Sequence, residues 1–150
     1  PSKLKYQLLG VSSETNLSTH AKCLKELNIK KAWVVHNVHG YDELTTTSSN
    51  KIVEVQNKKI SKERNLNPTE LGLKIRKDNE LKGGTPDENA FIMKRLFEGE
   101  TGAIRDNVIL NTAAGLVISN KAKNLYEGLE LARRNIDNGL GQKKLLSLIN

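Results

Sequence analysis

The spacing of apolar positions changes character along the chain, and each change predicts an element. Tyr6, Leu8 and Leu9 lie among polar residues and run into Gly10, which fits a short strand and its exit. Ser13 or Asn16 is placed to cap a helix, and Leu17, Ala21, Leu24 and Leu27 follow at helical spacing. Ala32-Trp33-Val34-Val35 is a short continuous apolar run, as in a strand buried on both faces. Strand, helix and strand in this order predict a right-handed parallel crossover. The polar segment 37–50, with its threonines and serines, reads as a loop. Ile52-Val53-Glu54-Val55 and Lys59-Ile60-Ser61 flank Asn57-Lys58 as a β-hairpin would.

Helices dominate the rest of the chain. Asn67-Pro68-Thr69-Glu70 carries a capping asparagine, proline at the first helical position and a glutamate three residues after the cap, although Gly72 soon interrupts. Thr85-Pro86-Asp87-Glu88 repeats that start, and Ala90, Met93 and Phe97 mark one face. Residues 108–118 are apolar almost all round, the pattern of a central helix. Leu125, Leu129, Ala132 and Ile136 form an amphipathic stripe, with Glu127, Glu130, Arg133 and Arg134 toward water. A last short helix carries Leu145, Leu146 and Ile149. The fold class is α/β: a partial parallel-sheet domain with a β-hairpin and a helical C-terminal half. With so few strands visible, the pattern suggests the back part of a larger α/β domain, and Pro1 in place of an initiator methionine fits a piece of something longer.

Composition narrows the classes. At 150 residues, 37% of them hydrophobic, the chain suits one domain and is too apolar for a disordered tail. No apolar stretch is long enough for a membrane span. The single cysteine, Cys23, excludes an internal disulfide framework and predicts a cytoplasmic setting, its own role being that of a small buried or half-buried residue. The net charge of +7 comes from scattered lysines rather than arginine clusters, and aromatic residues make up only 4%. That argues for a solvated face rather than a nucleic-acid groove.

Among residues that could carry chemistry, Asp42-Glu43 stands out. The pair follows the buried strand, and ligands of α/β sheets gather at strand carboxyl ends. Adjacent carboxylates repel, and a hard divalent cation such as Mg2+ relieves that repulsion while bridging to a substrate phosphate. Spacing alone leaves this reading open beside a solvated acidic turn. His36 and His39 lack a third ligand for a transition metal. Asn111 reads as a satisfied core polar group, and Gly83-Gly84 as a turn rather than a phosphate cradle.

Val34-Val35-His36-Asn37-Val38-His39-Gly40-Tyr41-Asp42-Glu43 resembles the Val-Val-His-Gly-x-x-Gly-Leu-Asp-Glu segment of anthranilate phosphoribosyltransferases. The likeness continues through Tyr6 to Val11, Leu71-Gly72-Leu73, Gly83-Gly84, Glu88-Asn89-Ala90, Leu110 to Ala114, Lys121-Ala122, Gly128 and Leu131-Ala132-Arg133, in the family's order. The resemblance implies the nucleoside phosphorylase/phosphoribosyltransferase type of α/β domain and an enzyme of tryptophan biosynthesis. Members join anthranilate to phosphoribosyl diphosphate with Mg2+ and release pyrophosphate. The family's acidic pair helps bind the Mg2+ of the diphosphate, which carries over to Asp42 and Glu43.

Residues 1–150 would then be the C-terminal segment of that α/β domain, without the N-terminal helical domain and the first part of the α/β domain. The family's Gly-Thr-Gly-Gly-Asp loop, its Lys-His-Gly-Asn loop and its anthranilate-contacting arginine do not occur here, so the chain alone is expected to be inactive. Asn37 replaces a family glycine, and Tyr41 a leucine. Open sheet edges predict self-association, as a homodimer. The alternatives are a nucleic-acid-binding relative of the same fold, which the acidic pair argues against, and a nucleoside phosphorylase relative.

Overall fold

A computed structural model describes residues 4–149. Five strands form a mixed sheet: β1 (Tyr6–Gly10), β2 (Lys31–Asn37), β3 (Asn50–Gln56), β4 (Lys59–Ile60) and β5 (Arg64–Leu66). β1 and β2 pair in parallel, with Tyr6 opposite Lys31 and Gly10 opposite Val35. β3 returns antiparallel along β2, and β4 and β5 both pair with β3. The parallel crossover is made by helix α1 (Asn16–Glu26), as the alternation of apolar runs predicted. β5 was not anticipated, because Arg64-Asn65-Leu66 carries a single apolar residue.

Pleating sends alternate β2 side chains to opposite faces. Ala32 and Val34 pack with Val53 and Val55 against Leu17, Ala21 and Leu24 of α1. Trp33 and Val35 pack with Ile52 into the larger core on the other face. That core is closed by α3 (Ala103–Ile118) and α4 (Leu125–Asp137). The α3–α4 contact is close enough that a methyl group at Gly128 would lie 2.9 Å from the Ala113 carbonyl oxygen. The predicted stripe Leu125, Leu129, Ala132 and Ile136 is buried throughout. α2 (Pro86–Phe97) and α5 (Leu140–Ile149) lie at the margin of this core, α2 reaching it through Leu96 and Phe97. The Ile149 side chain falls outside the described residues, whereas Leu146 of α5 is exposed.

Turn chemistry explains the connections. Asn57 and Lys58 have φ of 50° and 64°, the left-handed pair that a two-residue hairpin needs. Asn67 accepts a hydrogen bond from the Thr69 amide and starts only one 3₁₀ turn, Pro68–Leu71, because Gly72 takes the left-handed conformation at φ 72° and ends it. Thr85, with the reciprocal Glu88 bond, starts the full helix α2.

Several local expectations are corrected. α1 begins at Asn16 after Thr15 with no side-chain cap, so neither Ser13 nor Asn16 caps it. Leu27 lies past the last turn and is exposed. Cys23 is exposed, one position off the stripe that α1 buries. In α2 the buried residue is Leu96, while Ala90 and Met93 are exposed. The central helix starts earlier than position 108, at Ala103, and its Val108 is exposed.

Candidate metal and diphosphate site

Because β1 and β2 run parallel, their carboxyl ends lie on the same edge of the sheet. The loop 38–49 leaves β2 at that edge and crosses over β1. Its contact with β1 is intimate: a methyl group on Gly10 would lie 1.3 Å from the Asp42 carbonyl oxygen. Only glycine at the last position of β1 lets the loop come down so far. The acidic pair is thereby seated over the ends of both parallel strands, as its position after the buried strand predicted.

The loop is polar in sequence but buried in part, and asparagine side chains replace the missing secondary structure. Leu44, Thr45, Thr46 and Thr47 are buried. Asn37, at the end of β2, donates from Nδ2 to the Ser49 carbonyl (3.2 Å) and to Asn50 Oδ1 (3.0 Å), and accepts at Oδ1 from the His39 amide (2.9 Å). Asn50, at the start of β3, accepts from the Thr45 amide (2.9 Å) and donates to the Thr45 carbonyl (2.9 Å). Asn107 and Asn111 reach across from α3. Asn107 Oδ1 accepts from the Thr46 amide at 3.0 Å. Asn111 takes the Leu44 amide (3.2 Å) and donates to the Leu44 carbonyl (2.7 Å). Asn111 therefore grips the residue next to Glu43, a more specific role than the satisfied core group read from its helix.

Charged side chains brace the outer side. The Arg76 amide donates to the Thr46 carbonyl (2.9 Å), and its guanidinium donates from Nε and Nη2 to Asp106 Oδ2 (2.9 and 2.7 Å). Asp78, in the 3₁₀ turn Asp78–Leu81, accepts from His39 Nδ1 at 3.1 Å. Hydrogen bonds from His39 above all, and from Thr47 and Tyr41, hold the Asp78 carboxyl below the usual aspartate range. The Tyr41 hydroxyl is pushed up from its ordinary value, first by desolvation and then by the Asp78 charge. The two histidines diverge: His36 is buried and donates from Nδ1 to the Val11 carbonyl (2.9 Å), closing the β1–β2 end, while His39 pairs with Asp78. They form no metal site together.

Both acidic residues are exposed, and Glu43 also lines a cavity of about 300 Å³ with Leu81, Ile104, Val108 and Asn111. Partial desolvation there, and then the Asp42 charge, push the Glu43 carboxyl above the usual glutamate range. Among the described residues no three histidine, cysteine or acidic side chains cluster as a metal cage would. The donor set is two hard carboxylates with open access to water, which suits an ion that keeps its waters and shares a phosphate ligand. A dication at the pair would favour the charged form of Glu43, which partial desolvation and then the Asp42 charge disfavour.

Gly83 and Gly84 do not form a phosphate cradle. Asn89 closes that turn through the Gly84 amide and carbonyl (both 3.0 Å), and an added methyl group at Gly84 would meet Glu88 at 2.2 Å. No sequence signal pointed to Asp78 or Arg76 as braces, and Gly10 was visible only as a strand exit.

Comparison with known proteins gives the site its context. Residues 1–142 match the family model described as glycosyl transferase family, a/b domain. The anthranilate phosphoribosyltransferase of Parvibaculum lavamentivorans is 42% identical over 149 residues, which is 99% of this chain and 43% of that protein. The crystal structure of anthranilate phosphoribosyltransferase from Thermus thermophilus superposes with a TM-score of 0.85 at 36% identity, covering 95% of this chain and 41% of that one. The Saccharomyces cerevisiae enzyme, in complex with PRPP and Mg, has a TM-score of 0.83 at 23% identity, a likeness of fold alone. The chain spans less than half the length of these relatives.

Proposed function

The chain belongs to the glycosyl transferase family, within its α/β domain, and on that premise we propose that it is the C-terminal segment of an anthranilate phosphoribosyltransferase. The reaction would be transfer of phosphoribose from phosphoribosyl diphosphate to anthranilate, with release of pyrophosphate, in tryptophan biosynthesis. The relatives' name and the similarity across nearly the whole chain support this reading. So does the seating of Asp42-Glu43 over the parallel strand ends, the observation that carries it.

In this reading Asp42 and Glu43 hold Mg2+ on the outgoing diphosphate. The ion would neutralise charge that grows on the leaving group. The protein's own contribution is rigidity. Gly10 admits the loop, Asn107 and Asn111 fix its backbone from α3, and Arg76 and Asp78 brace it, so the carboxylates need little reorganisation when a phosphate arrives. Tyr41, which directly precedes the pair and hydrogen-bonds to Asp78, stands where the resembled segment has leucine.

The chain covers 43% of the Parvibaculum relative, and the resemblance implies that the groups positioning ribose and acceptor lie outside the segment matched here. We assign no turnover to this segment alone, and a homodimeric, cytoplasmic enzyme to the whole. Among the described residues no helix is long and apolar enough to cross a membrane.

A chimera tests this directly. This chain would replace the matching segment of the Parvibaculum enzyme, and anthranilate-dependent release of pyrophosphate would be followed. The expected result is a Mg2+-dependent transferase that Asp42→Asn with Glu43→Gln inactivates by at least about 10²-fold, the scale seen when electrostatic stabilisation of a developing charge is lost. A folded chimera whose Mg2+ dependence is unchanged in the double variant would refute the assignment.

A further inference from the structure

The lysines behind the net charge of +7 are scattered in sequence, but the topology gathers six of them at the amino end of the sheet, opposite the acidic loop. Lys5 precedes β1, Lys30 and Lys31 lead into β2, and Lys58 sits in the hairpin turn between β3 and β4. Backbone bonds join these positions. The Lys5 carbonyl accepts from the Lys30 and Lys31 amides (3.0 and 3.2 Å), and the Lys30 carbonyl accepts from the Asn57 amide (3.1 Å). The lysines thus follow the order of the sheet, on strands about 4.8 Å apart. Lys121 and Lys123, in the turn between α3 and α4, join Lys31 around a cavity of about 370 Å³. Lys31 is tied into that corner by the bond from its Nζ to the Val117 carbonyl (3.1 Å).

The ion pairs of the described residues involve none of these six lysines. All but the half-buried Lys31 are exposed. The acids at this end do not neutralise them. Glu54 on β3 accepts from the Trp33 indole, and Glu127 on the cavity wall accepts from the Lys123 amide at 2.7 Å. Glu26, which ends α1, is exposed and pairs with none of the six. Like charges gathered at one end repel, and a multivalent anion that bridges them relieves that repulsion.

We propose that the amino end of the sheet binds inorganic polyphosphate, laid along the row from Lys58 through Lys30 to Lys5, with Lys31, Lys121 and Lys123 beside it. The six charges are all lysine, and an ammonium meets phosphate oxygens as a compact point charge. Reading the bases of a nucleic acid calls instead on arginine forks. An extended acidic peptide turns only alternate side chains to one face, about 7 Å apart. A condensed phosphate carries charge on every unit, which suits lysines set one strand apart. The proposal draws nothing from the assignment of Asp42 and Glu43, which lie at the other end of the strands, and stands or falls separately.

The test titrates the 150-residue protein with sodium polyphosphate, oligothymidylate and polyglutamate of equal total charge, following backbone amide shifts. EDTA is present throughout, so that no divalent ion carries phosphate to the acidic loop. Polyphosphate is expected to shift the Lys30, Lys31, Asn57, Lys58 and Lys121 amides saturably, to bind more tightly than either other polymer, and to weaken steeply with added salt. Lys30→Gln with Lys121→Gln, both at exposed positions, should weaken it about ten-fold or more. Lys143→Gln with Lys144→Gln removes the same charge from exposed positions on α5 and should weaken it no more than about two-fold. Shifts that do not saturate or that centre elsewhere would overturn the proposal. So would equal binding of oligothymidylate or polyglutamate, or equal weakening by the two double variants.

Discussion

The loop 38–49 and helix α2 hold opposite relations between polarity and burial. The loop is mostly hydroxyl, histidine and acidic residues without regular structure, yet Leu44 through Thr47 are buried and four asparagines outside it satisfy its backbone. Helix α2 has a full capping box and a proline at its start, yet it buries only Leu96 and leaves Phe91 and Met93 60% and 45% exposed. The loop is positioned by specific long-range hydrogen bonds, the helix by local propensity and a thin contact. A site that must hold two charges in register needs the first kind of order. The second kind leaves a surface free to adapt.

Substitutions can break or sharpen that contrast. The largest effect is expected at Gly10. Gly10→Val places side-chain atoms where the Asp42 carbonyl now sits, so the loop must lift, at about 3 kcal/mol or more of stability. Chemical denaturation measures the loss, and a variant as stable as the parent would mean that the loop is not seated on β1. Next is Asn111→Ala, which leaves the Leu44 amide and carbonyl unpaired in a partly buried place, for about 2 kcal/mol. Gly128→Ala, at the α3–α4 contact, is the control: it should cost a similar amount, roughly 1–3 kcal/mol, without altering any metal response.

Glu43→Gln should act through pH. The folded carboxyl is raised, so the native state binds more protons than the unfolded chain over the interval from the ordinary glutamate value up to the raised one. Stability is therefore lost as pH rises through that interval. The glutamine variant should melt higher than the parent at neutral pH, and the difference should vanish below the ordinary glutamate range. Mg2+ should shrink the difference by stabilising the parent alone. Asp78 runs the other way: its lowered carboxyl contributes stability above the ordinary aspartate value that is lost as pH falls through the folded one. The smallest effect belongs to α2, where Phe91→Ser should change stability by no more than about 0.5 kcal/mol.

The same contrast explains what could be read from the chain beforehand. The crossover, the hairpin and α4 are written in apolar periodicity, because their burial is set by side-chain spacing along one element. The acidic pair was visible for a related reason, since it closely follows a strand buried on both faces. The loop's burial was not visible, because it depends on partners 61 and 67 positions away, at Asn107 and Asn111. The exposed Met93 and Ala90 misled in the opposite sense: helical spacing shows that a face exists, not that anything covers it. Cys23 and β5 failed more simply, one by falling just off the α1 stripe and the other by carrying too few apolar residues to register.

The central claim is that Asp42 and Glu43, held over the parallel strand ends, bind a divalent ion together with a phosphate group. Mn2+ added to the protein in the presence of pyrophosphate reports this through paramagnetic broadening of amide resonances. Selective broadening at residues 40–46 and at Gly10, abolished in Asp42→Asn with Glu43→Gln, is the predicted result. Broadening centred elsewhere, or unchanged in the folded double variant, would contradict it.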